Sequence, residues 1–434
     1  MALPAREENR QPPGMNAMKL NRRAFLTTSL GATAFVGLSC SGSKTNQTDL
    51  MTRLDEALEK PVLKKELFQE PIILSSLQLL HNRGEFIVRV RTKDGAEGLA
   101  LSNNAHMNYL YPLLVRRVFP TFQGKDAREL ENLLEEVYVW NSNYKLQGLC
   151  FWLSVASLEL AILDLLGKIA NRPVGELVGE IVRNKVAVYR ANGDRDITAE
   201  DTVAILQEYI AETGAKAVKY KVGGRMRNNA DLLPGRTENL IPLVRQVLGD
   251  AVTIYADSNG SYDIPHSIRI GRMLEETRAG FFEEPCPFDW YEETKEIADR
   301  LAIPIAGGEQ DSSMRRFRWM IANDCLQVVQ PDLFYFGGMI RSIRVARMAQ
   351  ESGIPCTPHI SGSGLGHLYM LHFASCVPNI GPYQEYKGFD ANVPFHSETS
   401  DLICKNGLVK VPSGPGLGVS FDRDFIDEAE IIKT

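Results

Sequence analysis

From residue 186 onward the chain repeats one pattern: a short apolar run closed by a charged or titratable residue, followed by a helix-length segment. The runs are 186–189, 217–222, 252–256, 280–282, 303–306, 326–329, 354–357 and 380–383. Short β-branched runs alternating with helical segments call for βα units with parallel pairing, and eight such runs close a barrel. An open doubly wound sheet competes, but no GxGxxG follows the first run to build a nucleotide crevice. The closing residues Asp257, Glu283, Glu309, Asp332, His359 and Glu385 lie 23 to 27 residues apart, about one βα unit each. In a barrel they share the rim at the C-terminal ends of the strands, where barrel enzymes keep their chemistry. Solvated surface carboxylates would not keep step with the strand period.

The second run contributes two cations. Lys219 and Lys221 are two residues apart, so both side chains leave the same face of a strand, opposite Val218, Tyr220 and Val222. That aims them into the barrel mouth, where buried charge requires partners. Lysines snorkelling to water are the plainer alternative, and the acidic ring beside them weighs against it. Asp257, Glu283 and Glu309 make an all-oxygen cluster on successive strands. Crowded carboxylates raise each other's pKa unless a cation neutralises them, and hard oxygen ligands favour Mg²⁺, with Mn²⁺ the alternative. No EF-hand loop speaks for structural calcium. Asp332 is placed to accept one ring N–H of His359, fixing its tautomer. A dication with bases on two faces suits removal of a proton α to a carboxylate, the metal stabilising the enediolate. Glu385, if kept protonated by acidic neighbours, donates a hydrogen bond to the second carboxylate oxygen.

The motifs Lys219-Tyr220-Lys221, Tyr255-Ala256-Asp257-Ser258-Asn259-Gly260, Phe282-Glu283-Glu284-Pro285, Gly307-Gly308-Glu309, Gln330-Pro331-Asp332 and Thr357-Pro358-His359, in this order and spacing, resemble the enolase superfamily and its mandelate racemase subgroup. The resemblance spans about residues 70–425, including 161–168 and 412–418. It implies an α/β chain: a modified TIM barrel, (β/α)₇β, over 186–400, with an N-terminal α+β capping domain over 70–185 completed by the C-terminal segment 401–434. It also implies that Asp257, Glu283 and Glu309 ligate the metal, with Glu284 a neighbour. Lys221 matches the base on one face, with Lys219 tuning it or touching the substrate carboxylate. His359 with Asp332 matches the base or acid on the other face, and Glu385 falls at the position of the electrophile. The branch with a lysine on the sixth strand is disfavoured, because that strand ends Gln330-Pro331-Asp332.

The strand pair 85–92 and 97–101 fits the start of the cap, and cap loops near 79–84 and 102–109 would select substrate. His106, Asn103 and Asn104 are candidates there; Asn259 and Arg190 are candidates on the barrel. The implied partner is a small-molecule carboxylate. Dehydration of an acid sugar to a 2-keto-3-deoxy acid leads, by analogy with the subgroup. A racemase or epimerase of a 2-hydroxy carboxylate uses the same residues. A non-catalytic exported carboxylate-binding protein would lack a base or a ligand, and none is missing. A symmetric homo-oligomer is also implied.

Residues 1–40 read as an address. Arg22-Arg23-Ala24-Phe25-Leu26 opens an apolar run to Leu38, too short to span a bilayer. The paired arginines resemble a twin-arginine export signal, with an uncleaved anchor as the alternative. Cys40 sits where a lipoprotein carries its lipid, although Gly37 stands where that motif has Leu. Residues 41–69 are polar enough for a linker. The chain then meets a membrane only through this signal or a lipid on Cys40, and its mature part is exported, periplasmic. A net charge of −6 gives no footprint for nucleic acid. Seven cysteines without a CxxC pair signal neither a zinc module nor a disulfide scaffold. Cys286 and His372 read as packing residues, and the glycine-rich segment 362–367 as a rim loop without a Walker lysine.

Overall fold

The computed structural model describes residues 45–226, 228–362, 364–388 and 393–433; the expected export signal and Cys40 lie outside the described residues. Strands β1 (Leu74–Asn82), β2 (Glu85–Thr92) and β3 (Glu97–Leu101) form an antiparallel meander, and Glu430–Ile431 pairs with the free edge of β1. The C-terminal segment therefore returns to the cap. The stretch 79–84 is not a loop: Leu79–Asn82 pair with β2, and Arg83-Gly84, both at positive φ, make a tight turn.

The helix Leu149–Ala170 lies against β2 and β3. Among the described residues it alone is long and apolar enough to cross a membrane, yet 89% of its apolar window is buried in the protein, so it is a core helix. Its Asp164 accepts Leu99 N–H at 2.8 Å and Leu417 N–H at 2.9 Å, and Lys168 neutralises it at 2.7 Å. A Cβ on Gly416 would sit 2.2 Å from Asp164 Oδ1, at φ +66, so only glycine lets the C-terminal turn approach.

Strands β4 (Lys185–Ala191), β5 (Ala217–Lys221), β6 (Thr253–Asp257), β7 (Phe282–Glu283), β8 (Ile305–Gly307), β9 (Val328–Val329) and β10 (Gln384–Tyr386) run parallel in the order β10-β4-β5-β6-β7-β8-β9. Single bridges Val329↔Cys356 and Cys356↔Ile380 carry the ring from β9 to the last run. The seventh run is thus reduced to one bridged residue, Cys356, between Pro355 and Pro358, which have no N–H to donate. In the eighth, the ladder falls after Pro382, so Glu385 sits within the strand. Helices Ala199–Thr213, Arg236–Leu248, Ile264–Glu276, Tyr291–Arg300, Met314–Ala322, Met339–Glu351 and Gly366–Cys376 alternate with the strands outside the ring. Inside, Tyr189, Ala217, Tyr255, Phe281, Ala306 and Val328 pack into an apolar floor, with Tyr255 stacked on Phe281 at 3.9 Å.

The expected linker is largely a helix, Thr45–Glu59. Leu50, Met51, Leu54, Ala57 and Leu58 form a stripe that packs on Met339–Glu351, with Leu54 and Ala57 fully buried. Asp55 takes the Arg318 guanidinium, Nε at 2.6 Å. The polar composition of 41–60 concealed this 3.6-residue period.

Candidate active site

Two residues above the apolar floor, the strand pleat turns a polar layer into the barrel. Lys219 and Lys221 rise over Ala217, Asp257 over Tyr255 and Glu283 over Phe281; register pairs Lys221 with Asp257 and Asp257 with Glu283. Carboxylate oxygens of Asp257, Glu283 and Glu309 all lie within 4.8 Å of one another, and all three residues are buried. Lys219 Nζ donates to both Glu283 oxygens at 2.9 Å and stands 3.9 Å from Asp257. Lys221 Nζ pairs with Asp257 and donates to Asn259 Oδ1 at 3.1 Å.

This crowding polarises the acids. Burial and the neighbouring Asp257 charge push Glu283 up, against Lys219. Asp257 is buried too, but Lys221, Lys219 and Arg195 hold it well below the usual carboxylate range. Glu309 Oε2 is buried with no hydrogen-bond partner among the described residues. Three converging carboxylates, one of whose oxygens accepts no hydrogen bond, fit a hard divalent cation.

On the opposite side, His359 Nδ1 meets Asp332 Oδ2 at 2.6 Å, and its Nε2 faces Glu309 Oε2 at 3.5 Å and Glu385 Oε2 at 3.6 Å. Burial opposes protonation of the ring, but Glu309 and the Asp332 hydrogen bond outweigh it and raise the pKa. Asp332 is held in turn by N–H groups of Phe334, Tyr335 and Ser361 at 2.7, 2.7 and 2.6 Å. The arrangement therefore offers an amine on one side of the carboxylate cluster and an oriented imidazole on the other, suited to moving protons at a substrate carbon.

Residues 201–425 match the Enolase C-terminal domain-like family, more than half of the chain. The chain belongs to the enolase superfamily. It is 28% identical over 343 residues to the arabinonate dehydratase of Saccharolobus solfataricus, covering 78% of this chain and 88% of that protein. A Roseobacter denitrificans protein described as a candidate racemase is 31% identical, with a TM-score of 0.77 over 83% of this chain and 99% of its own. A mandelate racemase/muconate lactonizing protein of Paracoccus denitrificans, solved with magnesium, is 24% identical and has a TM-score of 0.75 over 83% and 99% of the two chains; it shares the fold.

Within this enolase-superfamily barrel, several expectations change. Glu385 is not a protonated donor. Burial raises its pKa, but Lys219 at 3.8 Å, Lys387 at 3.7 Å and His359 together hold it ionised. Arg190 does not face the mouth. The pleat that turns Tyr189 inward turns Arg190 outward, where it lies 4.2 Å over the Tyr209 ring and 3.9 Å from Glu212. Asn259 is saturated: its Oδ1 takes Arg195 at 2.6 Å, Lys221 and Arg225, and its Nδ2 reaches Glu284 and Glu309 at 3.2 Å. It positions cations against carboxylates and has no polar atom left for substrate. Asn104 clamps the start of β2 by accepting Phe86 N–H at 2.8 Å. His106 reaches the rim through Tyr335, with Nε2 at 3.4 Å from the phenol oxygen. Glu284, at φ +42, is pushed up by burial and by the Glu309 charge.

Four members of the site were not singled out from the sequence. Arg195 donates to Gly223 O at 2.9 Å and holds Asn259; Gln330 donates to Glu283 at 3.0 Å; Lys387 faces Glu385; Ser361 holds Asp332. Gln330 and Lys387 follow from strand alternation, since each lies two residues from an inward position. Arg195 and Ser361 sit on loops, where no period marks them. Cys286 is inert, its thiol pushed up to about 12 by burial. The six described cysteines are all free thiols. His372 spends Nε2 on Leu417 O at 3.0 Å, inside its helix layer.

Proposed function

We propose that this chain dehydrates an acid sugar. The observation that carries the reading is the placement of Lys221 and the His359–Asp332 pair on two sides of one carboxylate cluster. The arabinonate dehydratase relative supports the substrate class. Asp257, Glu283 and Glu309 would hold Mg²⁺, with Mn²⁺ as a substitute. When bound, the dication supplies positive charge against the substrate carboxylate as negative charge develops there.

Lys221 Nζ takes the proton from the α-carbon, breaking that C–H bond. His359 Nε2, its ring held through Nδ1 by Asp332, gives a proton to the β-hydroxyl, which leaves as water. The resulting enol takes up a proton at the β-carbon to become a 2-keto-3-deoxy acid. Glu385, ionised between Lys219, Lys387 and His359, keeps the cationic side chains in place. Racemisation or epimerisation of a 2-hydroxy acid is the second reading, favoured by the bases on two sides and by the Roseobacter relative.

Proton NMR in D₂O with Mg²⁺ and a pool of aldonates, aldarates and uronates separates them. Loss of the α-proton with a new 3-deoxy methylene signal supports dehydration. Inversion or exchange at the α-carbon without water loss moves the assignment to racemase or epimerase, and an unchanged pool overturns both. We further assign the mature chain to an exported location and a homo-oligomeric state. Recovery of the protein solely from the cytoplasmic fraction would remove the first, and a monomer mass in light scattering the second.

A further inference from the structure

Asn103 begins the cap helix Asn104–Leu113, and its side-chain oxygen accepts His106 N–H at 3.3 Å as an N-cap. Its other end leaves the cap. Asn103 Nδ2 donates to Ser361 Oγ at 3.0 Å, on the loop after the seventh run of the barrel. Ser361 is buried, and its hydroxyl has one proton, which goes to Asp332 Oδ1 at 3.2 Å. The Ser361 N–H goes to Asp332 Oδ2 at 2.6 Å, the oxygen that His359 Nδ1 also uses. The groups set the direction along this chain: an amide nitrogen that only donates, a hydroxyl that accepts and then donates, a carboxylate that accepts, an imidazole N–H that donates.

A second arm runs alongside. Asn103 Oδ1 lies 2.9 Å from His106 Nδ1, so that nitrogen carries hydrogen, and Nε2 lies 3.4 Å from the Tyr335 phenol oxygen. Tyr335 gives its own N–H to Asp332 Oδ1 at 2.7 Å. One cap residue thus reaches the same barrel carboxylate by two routes, while the cap makes its own N-cap with the same side chain. A helix cap alone would need neither.

We propose that Asn103 and Ser361 are positioning residues that latch the cap to the Asp332–His359 pair, so that the cap sets the alignment of the imidazole. The inference rests on the reading of His359 as a proton-transfer group, and it assigns neither residue a contact with substrate. Misplacing a catalytic group by about 1 Å costs on the order of 100-fold. Asn103→Ala and Ser361→Ala are therefore expected to lower kcat by ~10–100-fold with KM little changed. The double variant should fall no further than the worse single one, because both break one chain. Ser361→Thr, which keeps the hydroxyl, should restore the rate.

The companion readout needs no substrate: the downfield proton resonance of the His359 Nδ1–H at fixed pH, assigned with His359→Gln. It should shift in both alanine variants and return in Ser361→Thr, while calorimetric Mg²⁺ affinity holds. An unshifted resonance in a folded Asn103→Ala protein overturns the latch, as does a double variant whose losses multiply. If Ser361→Ala does not fold, Asn103→Ala and His106→Gln carry the same resonance test. If the wild-type protein transforms no acid in the pool, the proposed function fails, and the resonance still judges the latch.

Discussion

Lys219 and Lys221 stand two residues apart on one strand face and meet different constraints. Lys219 is 1% exposed and lies within 4 Å of Glu283, Asp257 and Glu385, so it is the shared counter-charge of the acidic interior. Burial alone would favour the neutral amine, but those carboxylates raise its pKa well above the usual range. Lys219→Met strands buried negative charge and is expected to cost about 3–5 kcal/mol, read from urea melts. Lys221 is nearer the mouth, and its loss leaves Asp257 with Lys219 and Arg195 still nearby. Lys221→Ala should lower turnover by at least ~100-fold while calorimetric metal affinity stays close to wild type. An undiminished rate would remove Lys221 as the base.

At the scale of elements, the joint between cap and barrel is made at helix ends. Glu159, buried in Leu149–Ala170, accepts Met339 N–H at 2.6 Å and Ile340 N–H at 2.9 Å, capping the barrel helix Met339–Glu351 from the other domain. Gly338, at φ +103, leaves room for it: a Cβ there would sit 1.9 Å from Glu159 Oε2. Burial raises the Glu159 pKa from 4.5 to about 7, more than the two N–H donors lower it. The folded state then binds more protons than the unfolded one between those values. Stability is fully present below pH 4.5 and is lost as pH rises through about 7, by up to ~3 kcal/mol. Glu159→Gln should flatten that part of the profile in denaturant melts at pH 5 and pH 8; an unchanged slope would assign it to other groups. Along the same barrel helix, Thr45–Glu59 leads into a strap that binds the cap, where Val62 and Leu63 N–H groups both reach Glu131 at 2.9 Å. Leu54→Ala opens a cavity under that helix and is expected to cost about 2–5 kcal/mol in the same melts, without loss of metal affinity.

For the whole molecule, the interior concentrates like charge that a bound dication would relieve. Mg²⁺ at about 100 times its dissociation constant should stabilise the fold by ~2.7 kcal/mol, seen as a Tm rise that a chelator reverses and Asp257→Asn abolishes. No Tm response would count against the carboxylate cluster as a metal site. The barrel and the triad were legible in the chain because strand alternation and the βα period are local: two residues choose a face, and about 26 residues return to the same rim. That logic placed Asp257, Glu283, Glu309, Lys221 and His359. It failed where the answer depended on what stands opposite. Glu385 has the same period as the others, yet Lys219, Lys387 and His359 packed around it hold its pKa down against burial. Arg190 follows a strand end like its neighbours, yet sits on the face that meets the helices. Ser361 and Arg195 have no period at all, and the helix of 45–59 exists because Met339–Glu351 offers its apolar stripe a surface. The sequence by itself determined the period, the faces and the chemistry of the ring. Tertiary structure alone decided charge state and partnership, because both are set by groups that the fold, and not their order in the chain, brings within a few ångströms.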